Sequence, residues 1–118
     1  VYFLVTTIAA AAAAVAYAYH LSRLRRGDKF RETLGPDIHP KTIAALLKEG
    51  AEGELAQDGL WLKENARELA ERFGSQWVAV VHKEVVAVSR SEDEVWAAAK
   101  SAWPALTPFV RWLRSRWD

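Results

Sequence analysis

Hydrophobic and polar positions divide the chain into an unbroken apolar opening and a patterned remainder. Residues 1–19 (VYFLVTTIAAAAAAVAYAY) carry no charge, no Gly and no Pro. As a helix this run would be about 29 Å long, against a hydrocarbon core of roughly 30 Å. Residues 40–49 follow a proline and place Ile43, Ala44, Leu46 and Leu47 on one side up to Gly50, which predicts a short helix. His39, just before Pro40, suits its cap. Residues 50–59 (GAEGELAQDG) hold Gly50, Gly53 and Gly59 and few large apolar groups, and read as a loop. Over 60–73, Leu62, Ala66, Leu69, Ala70 and Phe73 recur at helical spacing, with charges opposite and Gly74 as the stop.

Two β-branched runs, 77–81 and 85–88, flank His82-Lys83-Glu84 and predict a hairpin. Both its faces are apolar, with Trp77, Ala79 and Val81 on one and Val78 and Val80 on the other. A second element, a second copy or a partner is therefore expected against the second face. Ser91 and Glu94 form a capping box that opens a helix carrying Val95, Ala98, Ala99 and Ala102 up to Pro104. Residues 106–113 suit either a third strand or a terminal helix. The expected fold class is α+β: a transmembrane helix, then a small domain with a β-hairpin or three-stranded meander packed on two or three helices. The expected organisation is 1–26 span and basic collar, 27–59 linker with a short helix, and 60–118 the α+β domain.

Charge fixes the reading of the opening. After residue 19 come Arg23, Arg25, Arg26, Lys29 and Arg31 against one acid, Asp28. A secretory signal would carry basic residues before its apolar stretch. A buried helix of a water-soluble domain would show a polar stripe, whereas only the adjacent Thr6 and Thr7 are polar. A spanning helix fits both facts. Phe3, Leu4, Ile8, Ala9, Ala12, Ala13 and Val15 are its expected lipid- and helix-packing residues, since the alanines of 9–14 let a neighbouring helix approach closely. Tyr17, Tyr19, Arg23, Arg25 and Arg26 are its expected interface residues, and the cation excess assigns the domain to the cytoplasmic side of the cell membrane.

Over all 118 residues the charges are nearly balanced, at net charge +1, too little to imply nucleic acid. With no Cys, thiolate chemistry, disulfides and Cys-type metal sites are excluded. His20, His39 and His82 lack partners at metal-ligand spacing, and no phosphate loop, dinucleotide fingerprint or nucleophile elbow is present. No catalytic residue, cofactor, metal or small-molecule substrate is inferred. Six Trp is a high count, and Trp favours interfaces that are apolar at one end and wet at the other. Trp77, Trp96, Trp103, Trp112 and Trp117 are the expected partner contacts. The Arg–aromatic alternation of residues 109–117 suits a membrane surface or a docked protein.

The run WLKENARELAERFGSQWVAVVHKEVVAVSRSEDEVWAAAK resembles a family of small prokaryotic domains of unknown function. The matching positions are Trp61, Asn65, Leu69, Gly74, Trp77, Val78, Ala79, Val80, Val81, Val85, Val86 and Ala87. The resemblance implies a small α+β fold and no reaction. Its members place Asp-Gly or Asn-Gly in the hairpin turn. His82-Lys83 here argues against a tight type I′ turn, in which both residues need positive φ.

The functional expectation is a non-catalytic, single-pass accessory subunit of a larger membrane complex, with lipid, other transmembrane helices or copies of itself as partners. The rival is a pilin-like filament or shell subunit with apolar helices in its core, although no acid precedes Asp28. A soluble protein-binding regulatory module is a third reading.

Overall fold

The computed structural model describes Ala18 and residues 27–115. The expected span lies outside these residues apart from Ala18, which is helical and exposed, as do Arg23, Arg25, Arg26 and Trp117. Among the described residues no helix is long and apolar enough to cross a membrane.

The order is α1 (residues 27–34), α2 (Pro40–Glu49), α3 (Glu54–Glu64), α4 (Ala66–Phe73), β1 (Gln76–Val81), β2 (Glu84–Ser89), α5 (Glu92–Ala102) and β3 (Phe109–Leu113). The fold is a small α+β domain with one antiparallel sheet ordered β2-β1-β3. The hairpin is present, but the third strand does not continue it as a meander. Instead α5 carries the chain across the sheet, and β3 pairs with β1 on the side away from β2.

Residues 106–113 resolve as a strand because Phe109 and Leu113 enter one core while Val110 enters the other, the alternation a strand imposes. A backbone segment then covers β3's outer edge: His39 N–H donates to the Val110 carbonyl at 2.9 Å and Trp112 N–H to the Asp37 carbonyl at 3.0 Å. Thr42 ties α2 to the same strand, its hydroxyl donating to the Pro108 carbonyl at 3.0 Å and accepting from Val110 N–H at 3.1 Å.

The expected loop over 50–59 is mostly helix, since α3 begins at Glu54. Its glycine is a packing device: a Cβ on Gly59 would stand 2.4 Å from the Phe109 ring. The expected single helix 60–73 breaks at Asn65, whose side-chain amide donates to the Trp61 carbonyl at 2.8 Å, the same acceptor its backbone N–H uses at 3.0 Å. The new helix, α4, brings Leu69 to the core. Residues 27–59, expected as a linker, supply Leu34, Ile38, Ile43, Leu46, Leu55 and Ala56 to the same cluster as Leu62, Val78, Val80 and Phe109. Each such burial contributes about 1.5–3 kcal/mol for the larger side chains, and helices from this stretch cover the hairpin's Val78 and Val80 face.

The face that bears Trp77 and Ala79 is covered in part from within the chain. Val95 and Ala99 of α5 pack on Ala79 and Val110. Ser91 caps α5, accepting from Glu94 N–H at 3.3 Å. The return arm of the expected capping box is rerouted: Ser89 Oγ donates to Glu94 Oε2 at 2.9 Å and accepts from Ser91 N–H at 3.1 Å.

The turn at His82-Lys83 is tight after all. Their φ values are +52° and +59°, both left-handed as type I′ requires. Asp58 on α3 makes this possible. Its carboxylate is 6% exposed and accepts Lys83 N–H at 2.9 Å and His82 N–H at 3.3 Å.

Candidate functional site

Register places Trp77 of β1 opposite Trp112 of β3, on the face that α5 covers only in part. Their rings meet edge to face at 5.7 Å. His39, the cap residue of α2, lies 6.2 Å from Trp77, also edge-on, and stacks on Trp96 of α5 at 4.8 Å. The ammonium of Lys41 stands 5.3 Å from the Trp96 ring, within cation–π range. Four elements, α2, β1, α5 and β3, thus build one aromatic wall.

His39 holds the wall together. It is 5% exposed, and its Nδ1 accepts Lys41 N–H at 3.0 Å. That bond requires the proton on Nε2, which faces Glu92 Oε1 at 3.2 Å. Both ring nitrogens are therefore satisfied in the neutral imidazole. Burial pushes the His39 pKa below its ordinary value; Glu92 and Asp93 oppose the shift and Lys41 adds to it.

Beside this wall an open cleft of about 440 Å³ is lined by Asp37, Ile38, Trp77, Trp112 and Arg114. Arg114 Nε pairs with Asp37 Oδ2 at 2.9 Å on its rim. Arg111 lies on the other face of β3, packed under Gly35; a Cβ there would stand 2.7 Å from the guanidinium. Among the described residues its Nε and Nη1 are buried without a hydrogen-bond partner; burial lowers its pKa, Asp37 opposes that shift and Arg114 adds to it.

Of the tryptophans expected at a partner contact, Trp77, Trp96 and Trp112 are brought together. Trp103 is not: it is 39% exposed and meets His82 edge-on at 5.4 Å, next to the hairpin turn. Trp117 lies outside the described residues. Sequence reasoning identified His39 as a helix cap and missed its place in the aromatic wall, together with Asp37, Lys41, Glu92 and Arg114. No local spacing links these positions, so only the strand register could reveal them. Among the described residues no group of three His, Cys, Asp or Glu side chains could hold a metal ion.

The wall offers stacking area, one ion pair and little else polar. Aromatic and Arg side chains around a partly desolvated cleft are the composition of protein-interface hot spots. No curated protein and no solved structure matches the chain. Residues 68–110, from within α4 through the hairpin and α5 to the second residue of β3, match DUF5678, a family of unknown function.

Proposed function

We propose that the protein is a non-catalytic single-pass membrane protein, an accessory subunit of a larger membrane assembly, with its α+β domain on the cytoplasmic side. The observation that carries this reading is the uncharged stretch 1–19 followed at once by Arg23, Arg25, Arg26, Lys29 and Arg31. Such a stretch is long enough to span, and a cation excess is retained on the cytoplasmic side. The aromatic cleft supports the second half of the reading, since Trp77 and Trp112 offer a partner chain half-buried aromatic anchors beside the Asp37–Arg114 pair.

Membranes carrying the protein, washed with high salt and then alkaline carbonate, should retain it; its release into the supernatant would refute the membrane assignment. Trp112→Ala should remove the chains that co-purify in mild detergent, while Trp103→Ala, away from the cleft, should leave them. Equal effects of the two substitutions would refute the docking assignment. Extended helical polymers in electron micrographs of purified protein would favour a filament subunit instead.

A further inference from the structure

A second cavity lies on the other side of the sheet from the tryptophans. It is an apolar groove of about 380 Å³ between α1, α2 and α3, walled by Phe30, Leu34, Leu46, Leu47 and Leu60. Leu60 is one of two large hydrophobic side chains among the described residues that are conspicuously exposed, at 39%. The groove falls in the range of small-ligand sites, roughly 300–1,000 Å³.

Besides Lys29, its walls carry two polar side chains, Thr33, whose groups are committed, and Gln57, an exposed amide on α3. The Thr33 hydroxyl donates to the Lys29 carbonyl at 2.9 Å, and the Thr33 carbonyl accepts Lys63 Nζ at 2.8 Å. A ligand with a polar body would find one amide, Gln57, in a wall that is otherwise apolar away from Lys29, and would lose hydration against the rest. One charge lines the groove, the ammonium of Lys29, which makes no ion pair among the described residues. Gly50 leaves the mouth clear: a Cβ there would meet nothing within 4 Å.

We propose that this groove binds the hydrocarbon tail of a single-chain fatty acid, with the carboxylate at Lys29. The inference stands on the lining of the groove and goes beyond the docking role of the aromatic face.

The test uses the full chain in phosphatidylcholine nanodiscs, a fatty acid bearing a photoactivatable diazirine in its tail, and mapping of the cross-linked residues. Cross-links at Phe30, Leu47 and Leu60 are expected. Labelling of residues 1–19 reports the span instead, so the two readings fail separately. Unlabelled fatty acids should compete with a potency that rises up to about fourfold per methylene and then levels when the groove is full. Lys29→Glu should lower groove labelling about two- to fivefold, the range of an exposed ion pair, and a fatty alcohol probe should label the wild type as weakly. Ala56→Leu should block the groove. If circular dichroism shows that variant misfolded, Leu60→Glu on the exposed rim carries the same test. Labelling confined to residues 1–19, or groove labelling indifferent to Lys29→Glu and Leu60→Glu alike, would overturn the proposal.

Discussion

Replacing Asp58 by Ala removes the carboxylate that accepts both backbone amides of the hairpin turn. Two residues with side chains sit left-handed there, at φ +52° and +59°, and each costs roughly 1–2 kcal/mol relative to ordinary backbone. The Asp58 carboxylate offsets this with two charge-assisted bonds, at 2.9 Å and 3.3 Å. Bonds of that kind contribute about 1.5–3 kcal/mol each, the longer one less. Two effects reduce the loss. The freed N–H groups belong to exposed residues and can turn to water, and deleting the carboxylate removes its desolvation. A net destabilisation of about 2 kcal/mol is expected, read from the midpoint and slope of urea unfolding followed by Trp fluorescence. Lys83→Gly should recover about 1 kcal/mol in the Asp58→Ala background, because Gly adopts positive φ without a Cβ penalty. Burial raises the Asp58 pKa, with the Lys83 and His82 amides pulling it part of the way back. The folded state thus holds this proton more readily than the unfolded chain. The resulting stabilisation is complete below the unfolded value near 3.9 and is lost as pH rises through the folded one. The gap between wild type and Asp58→Ala should therefore widen from pH 7 to pH 4. A change under about 0.5 kcal/mol at pH 7, against the ~1.5–3 kcal/mol of one such bond, would refute the assignment of the turn to Asp58.

Gly59→Ala should destabilise by about 1–3 kcal/mol in the same assay, because overpacking against Phe109 outweighs the ~1 kcal/mol that Ala adds to a helix; Phe109→Leu should recover part of that loss. His39 has a depressed folded pKa, so its contribution is intact at pH 7.5, begins to fall below about 6.5 and is lost as pH drops through the folded value, where protonated Nδ1 can no longer accept from Lys41. The urea midpoint should fall from pH 7.5 to pH 5, and His39→Asn, which keeps a capping acceptor, should flatten that dependence in the presence of Glu92, Asp93 and Lys41. Ser91→Ala should cost about 1 kcal/mol through loss of the α5 cap, seen as a lower thermal midpoint in circular dichroism.

Local pattern was enough for α2, the hairpin strands and α5. Each is written in a period of 3.6 or 2 and bounded by Pro40, Gly74, Ser91 or Pro104, signals that act within a few residues. Where the pattern misled, a distant group was responsible. The glycines before residue 60 suggested a loop because Gly disfavours a helix, yet Gly59 is needed to admit the Phe109 ring. His82-Lys83 argued against a tight turn because the carboxylate that supports it comes from α3.

The sequence by itself determined the solvent-sorting features of this protein: an uncharged opening, a basic collar, and an α+β domain without thiol chemistry. These follow from composition and short-range periodicity, which need no partner to be read. The tertiary structure alone decided that β3 returns to the far side of β1, that α5 covers part of the sheet's Ala79 face, and that His39, Trp77, Trp96 and Trp112 meet. Those contacts join positions far apart in the chain, and their selection depends on shape and register when the two cores are packed, information that no local window contains.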